Sequence, residues 1–446
     1  MAPRRRTVLT AVSTATASAV AGCAGLLGEE TGDENGPENE EDAAAAFVDD
    51  LANERFERAS ERFVERERDK RGDPARLERL WMGYGAVSGT YAELVDTDVS
   101  TKNGISAVDL TLSFDRGDHV CRTLVDRESR LVDCGVVDEY ERPSYVDSSA
   151  VTERDVTLAV EDCSLPGIVT TPAAEDEAVP GVVLVHGAGA GTKNSDRGGS
   201  EPFRDLAEGL ATRGIASLRY DKRLPTCEVE PSAHTLDHVT VDDALVATER
   251  LRTVDGVDAD RIVAVGHGLG GTATPRIAAR DGNLAGVGGL AAPARPYHEL
   301  TLEQLEYKVS VGDHEWGGLE RIYERWSDEI DQVRAGEYES GDELLGKPGA
   351  FWNSLAAYDH LGTAADVDVP LYLLQGERDF QVTAADDLER WRSELDGEST
   401  VAFETYDDLD HLFMPGDGPS VEFAYAVRNN VAEGVVTDLA DWIADL

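Results

Sequence analysis

The run Val265-Gly266-His267-Gly268-Leu269-Gly270-Gly271 has the spacing of G-x-S-x-G, in which a strand turns sharply into a helix and lifts one nucleophilic side chain at the apex. The apex here is Gly268, which has no atom with which to attack a carbonyl. The small residues Gly266, Gly270 and Gly271 suit so crowded a turn. A residue with a Cβ at the apex of such a turn carries backbone strain on the order of 1–3 kcal/mol, which glycine relieves. The run also reads as G-x-G-x-G, but a dinucleotide loop follows the first strand of its domain and has an acidic partner on the next. This loop comes after several strands, so no cofactor is expected.

Two further loops carry the remaining chemistry. His186-Gly187-Ala188-Gly189 follows the apolar run Gly181–Val185 directly, and an H-G-x-G segment at that point can offer a backbone N–H to a carbonyl oxygen. Gly376-Glu377-Arg378-Asp379-Phe380-Gln381-Val382 follows the strand beginning at Leu371, and Asp379 is preferred over Glu377 as the acid. Asp408-Leu409-Asp410-His411-Leu412-Phe413 follows the strand beginning at Val401 and supplies His411 as a base. The order nucleophile position, acid, histidine is that of an acyl-transfer triad. Thr272, one helical turn past the apex, should point away from a bound carbonyl and is not expected to replace the missing hydroxyl. His186, His267 and His411 sit on different elements with no metal-binding spacing, so no metal is expected.

The elements that must position these loops alternate. Asp155–Val160 and Gly167–Thr171 read as an antiparallel pair, and Gly181–Val185 as a strand buried on both faces. Helix and strand then follow in turn: Phe203–Arg213, Ala216–Tyr220, Val241–Val254, Ile262–Val265, Thr272–Arg280 and Ala285–Leu290. The sheet resumes at Leu371–Leu374 and Val401–Tyr406, and a last helix starts near Val431. This predicts an α/β fold with a doubly wound, mostly parallel sheet over 150–446. Residues 298–360, with Trp316, Trp326 and Trp352, read as a helical cap, the tryptophans being cap core rather than pocket wall.

Upstream, Phe47, Leu51, Phe56 and Phe63 recur at near-helical spacing, and Gly85–Val95, Ala107–Phe114 and the paired runs His119–Val125 and Arg130–Val136 alternate as strands. Residues 47–143 therefore form a small α+β domain, in pattern and position similar to the NTF2-like (DUF3887) accessory domain. No acid/base constellation is visible in it, and a spacer role is preferred to a ligand pocket. A hairpin centred between Arg127 and Glu128 would place Cys121 opposite Cys134, leaving a disulfide or two buried thiols equally open. Cys163 and Cys227 show no pairing logic.

The 446 residues include 88 acidic and 41 basic ones, a net charge of −47, and six lysines. Such a field repels nucleic acid. Its spread along the whole chain resembles the hydrated surfaces of proteins from salt-loving archaea. Residues 1–23 read as a twin-arginine export signal (Arg5-Arg6) ending at Val20-Ala21-Gly22-Cys23, where Cys23 would be lipidated and hold the protein to the outer face of the cell membrane. Residues 24–46 read as an acidic, flexible tether.

From Val183 to Leu446 the chain resembles exported α/β-hydrolases of the esterase and acyl-peptidase type. The resemblance rests on Pro202-Phe203-Arg204-Asp205-Leu206-Ala207, Leu218-Arg219-Tyr220-Asp221-Lys222-Arg223, Asp242-Asp243-Ala244, Gly376–Asp379 and Asp410–Phe413. It implies that Asp379 orients His411, that His411 is the base, and that the N–H groups of Ala188 and Leu269 are oxyanion donors, with Gly187 and His267 beside them. The family's nucleophile falls on Gly268 and does not carry over. The preferred reading is a weakly active or non-catalytic protein that binds a small acyl, ester or peptide-like ligand. A hydrolase working through a His411-activated water or another hydroxyl, and a cell-surface scaffold, are the alternatives. No residue pattern specifies an oligomeric state.

Overall fold

The structure is a computed structural model and describes residues 39–446 apart from 162, 174–176, 190 and 312–318. The expected export signal, Cys23 and Trp316 lie outside the described residues. No helix among the described residues is long and apolar enough to cross a membrane.

In the strand Val179–Val185 every residue is buried, because alternate side chains enter different cores. Val182 and Leu184 join one apolar cluster, with helices Pro202–Ala211 and Glu433–Ala444. Val183 and Val185 join the other, with helices Asp242–Arg252 and Leu269–Asp281. A continuous apolar run thus becomes the middle of a three-layer sandwich.

Numbered along the chain, β1 to β4 (Tyr91–Lys102, Ile105–Phe114, Gly117–Val125, Leu131–Val136) form a separate antiparallel sheet in that order. The strands β5 (Val151–Val160), β6 (Cys163–Pro172), β7 (Val179–Val185), β8 (Ala216–Tyr220), β9 (Val257–His267) and β10 (Gly286–Leu290) belong to the large sheet. A two-residue hairpin, β11 (Glu343–Leu344) and β12 (Lys347–Pro348), lies in the cap, and β13 (Leu371–Gly376) and β14 (Val401–Tyr406) complete the sheet. Its order is β14-β13-β10-β9-β7-β8-β6-β5. All neighbours from β8 to β14 are parallel, and β5 and β6 form an antiparallel edge. The chain leaves β7 for β8 on one side and returns to β9 on the other, so the loops after β7 and β9 open a crevice at the carboxyl edge. Between β10 and β13 the cap carries helices Tyr297–Val311, Leu319–Ala335 and Gly349–Ala356.

Three expectations are corrected. The tether 24–46 does not extend to residue 46, since a helix spans Glu40–Ala52. Asn39 caps it by accepting from Asp42 N at 2.8 Å, acidic residues fill its first turn, and Ala43, Ala44, Phe47, Val48 and Leu51 are buried. Gly85–Val95 is not one strand: a helix capped by Asp73 runs over Pro74–Ser88, and the strand begins at Tyr91. The spacing of Leu77, Leu80 and Tyr84 is helical and buries one face against the sheet.

The third correction concerns the cysteines. Cys121 pairs with Val136 and Thr123 with Cys134, so Cys121 and Cys134 are offset and remain free, buried thiols. The hairpin loop is Asp126–Arg130, closed by Asp126 accepting from Glu128 N and Arg130 N, and an irregularity beside Val132 shifts the register further. The disulfide joins Cys163 to Cys227 instead. Cys163 opens β6, and Cys227 follows β8, the strand that pairs with β6. A link across 64 residues of sequence becomes local only through that pairing. Closing so long a loop should stabilise the folded state by roughly 4 kcal/mol. Denaturant unfolding of Cys163→Ala/Cys227→Ala should show a loss of that size, and an unchanged midpoint would contradict it.

Candidate active site

The turn at the end of β9 has the backbone of a nucleophile elbow. Gly268 adopts φ 54° and ψ −126°, between strand Val257–His267 and helix Leu269–Asp281. The neighbouring glycines are required by space. A Cβ on Gly270 would lie 2.5 Å from the carbonyl oxygens of Val185 and His186, and one on Gly266 would overlap the Gly270 backbone. At Gly268 the situation is different. A Cβ there meets nothing nearer than His411 Nε2, at 3.8 Å, and Gly187 Cα, at 4.0 Å. A side chain fits at Gly268 and points at the histidine; only the positive φ disfavours it.

His411 and Asp379 meet as the sequence predicts. Asp379 ends the turn after β13 and His411 lies beyond β14, the adjacent parallel strand. His411 Nδ1 is 2.7 Å from Asp379 Oδ2. Asp379 Oδ1 accepts from Gln381 N and Val382 N, and Oδ2 also accepts from Gln375 Nε2. The carboxylate is therefore held by four donors and turns the imidazole so that Nε2 faces the elbow. Asp410 organises the histidine loop from below by accepting from Leu412 N and Met414 N, and burial raises its carboxyl to about 6.

The loop after β7 lies against the elbow because β7 and β9 are neighbours, with Val185 opposite Gly266. A Cβ on Gly187 would lie 3.1 Å from His267 O, so the two backbones approach as closely as side chains allow. Among the described residues no protein acceptor takes the N–H of Ala188 or Leu269, and both residues line the crevice. These N–H groups are placed to receive a ligand oxygen. His186 bonds to Tyr220 O at 2.6 Å and packs on Phe203, so it anchors this loop. His267 bonds to His411 O at 2.8 Å and packs edge-on against its ring. Its main contact is thus with the histidine backbone, although it also lines the crevice.

These groups open into a cavity of about 870 Å³ roofed by the cap. Leu300, Leu305, Leu345, Trp326 and Trp352 form its apolar wall. Trp326 and Trp352 are buried in the core and line the cavity at once, so cap core and pocket wall are the same surface. Thr272 donates to Pro293 O at 2.8 Å, away from His411. Arg223 is structural, in a buried ion pair with Asp243, and Asp221 accepts from Lys193 N.

Residues 182–426 match the family model described as alpha/beta hydrolase family. The chain is also 31% identical over 404 residues to Esterase EstD of Thermotoga maritima, covering 90% of this chain and 94% of that one. The protein belongs to the alpha/beta hydrolase family. Solved structures with a related trace include an esterase of Pyrococcus furiosus (TM-score 0.43, 15% identity, 69% of this chain and 97% of that one). Est1E of Butyrivibrio proteoclasticus is another (TM-score 0.44, 15% identity, 65% and 98%).

Against this alpha/beta hydrolase framework, one constellation was not visible in the sequence. Ser88 Oγ is 2.6 Å from His119 Nε2, and His119 Nδ1 is 2.6 Å from Asp138 Oδ2, all three buried in the N-terminal region. The expectation of no acid/base constellation there is corrected. Ser88 closes a helix, His119 lies on β3 and Asp138 follows β4, so only the packing of sheet on helix unites them. Asp138 also accepts from Val120 N and from Arg428 N, which ties this region to the segment after the histidine loop. With Ser88 1% exposed, the set is a structural relay.

The site's histidines make stability depend on pH. Burial, then the neighbouring His411, pushes His267 down to about 3 from an ordinary 6.5. The folded state thus holds it neutral while the unfolded chain protonates, so this contribution is complete above about pH 6.5 and is lost as pH falls toward 3. His267→Gln can still donate to His411 O but takes up no proton. Its stability deficit relative to the unsubstituted protein should shrink between about pH 7 and about pH 4, read by denaturant unfolding. Parallel profiles would refute the assignment.

Proposed function

We propose that the protein is an acyl-ligand receptor built on an esterase-like site whose nucleophile has been removed. It binds a small acyl, ester or peptide-like ligand with the carbonyl oxygen on the N–H groups of Ala188 and Leu269. The observation that carries this reading is Gly268, which keeps the positive-φ elbow backbone and an open line to His411 Nε2 while lacking the attacking atom. The retained Asp379–His411 pair argues against a pure scaffold, which has no use for an oriented base. The similarity to an esterase over nearly the full chain supports the ligand class.

Slow turnover is consistent with this site. His411 Nε2 can take a proton from a water that approaches the ligand carbonyl from the side where a serine would sit. Sites that lose their serine keep only about 10³–10⁴-fold acceleration over water. The proposal includes export and lipid anchoring at Cys23, at high external salt. The Cys163–Cys227 disulfide and the charge of −47 support that setting.

The test compares the protein with Gly268→Ser in concentrated potassium chloride, using a fluorophosphonate probe and p-nitrophenyl butyrate. Only the variant should label, and its ester hydrolysis should rise by at least about 10²-fold through His411 acting as general base. His411→Ala should abolish the gain, and Ser88→Ala should not. The new Cβ at positive φ should lower stability by about 1–3 kcal/mol in thermal unfolding. Labelling of the unsubstituted protein at a hydroxyl would sink the receptor reading, and silence from both proteins would sink the intact-site reading.

A further inference from the structure

The cations around the cavity are unusual for so acidic a chain. Of the six lysines, Lys308 pairs with Glu422 and Lys193 with Asp221, while Lys70 and Lys102 are exposed. Lys222 and Lys347 behave differently. Among the described residues neither has a carboxylate within ion-pair distance. Lys222, 2% exposed, donates to Gly187 O, and Lys347 donates to Ala188 O at 3.2 Å. Two ammonium groups thus sit on successive carbonyls of the loop whose N–H groups face the ligand. Lys347 comes from the cap hairpin and lines the cavity beside Leu345 and Trp352. Arg197, on the cavity wall, likewise has no carboxylate within ion-pair distance among the described residues and donates to Asp196 O.

Burying positive charge without a counterion is costly. Burial pushes Lys222 down to about 7, with Lys347 adding repulsion, and lowers Lys347 as well. Asp196, Asp221 and Glu422 line the cavity and Asp243 acts on Lys222 from farther off, yet among the described residues none comes within ion-pair distance of Lys222 or Lys347. A ligand carboxylate would supply the missing charge, while the leucines and tryptophans of the cap take an apolar chain.

We infer that the cavity selects anionic acyl ligands, with an ester or acyl group at Ala188 and Leu269 and a separate carboxylate on Lys347, backed by Lys222. This rests on the acyl-receptor reading and narrows it to a ligand class.

The test titrates the protein, in its unsubstituted form, with methyl hydrogen suberate and with dimethyl suberate, which differ only in one carboxylate. Calorimetry in concentrated potassium chloride should show the half-ester binding at least about tenfold more tightly, since a buried pair is little screened by salt. Lys347→Gln should remove that preference, and Lys347→Arg should keep much of it, which separates charge from folding. Equal affinity for both probes, or a preference that survives Lys347→Gln, overturns the anion site and leaves the acyl-receptor reading standing. Failure of both probes to bind overturns both readings.

Discussion

The close approach of two backbones holds the site together. The carbonyls of Val185 and His186, at the end of β7, lie where a Cβ on Gly270 would have to go. The elbow after β9 and the loop after β7 can touch only because Gly270 and Gly187 carry no side chains, while Gly266 leaves room for the elbow to fold on itself. That contact brings the N–H groups of Ala188 and Leu269 to one crevice and sets the direction in which the Gly268 Cα faces. The glycine at 268 is of another kind. Its neighbours are glycine for want of space, whereas at 268 there is space and only backbone strain is relieved.

From this contact the remaining parts follow as successive supports. Four donors hold Asp379, Asp379 orients His411, and His267 holds the backbone of His411 from the elbow side. Burial against the histidine loop and the nearby His411 keep His267 neutral. The lysines bind the loop after β7 through its carbonyls, so its N–H groups are left facing the cavity. With its carbonyls held in this way, the loop presents its N–H groups in a preorganised direction.

The N-terminal region braces the far wall. A Cβ on Gly83 would strike Phe423, Asp417 N donates to Ala86 O, and Arg116 pairs with Asp417. The relay Ser88–His119–Asp138 ends on Arg428 N, and Tyr140 and Arg142 reach Asp205 and Glu208 on the large domain. These contacts hold the segment that contributes Glu422 and Tyr425 to the cavity. A small domain with a single-faced sheet thus serves as a support for the pocket wall.

Much of this was legible in the chain because it depends on local pattern. The run Val182–Val185 reads as a doubly buried strand, and Asp379 and His411 follow their strands at the right places. Gly268 could be recognised as a missing hydroxyl from its neighbours alone. What the sequence could not supply depends on which strands become neighbours and in what register. The Asp126–Arg130 loop and the extra residue at Val132 together offset Cys121 from Cys134, and the pairing of β6 with β8 unites Cys163 with Cys227. Ser88, His119 and Asp138 carry no common spacing and meet only where helix packs on sheet. Lys222 and Lys347 are 125 positions apart, and only the closure of the cap over the β7 loop brings both to it. The residues of the site could be named from sequence because each terminates its own strand. The charges around it could not, because unpaired charge is a property of the assembled fold.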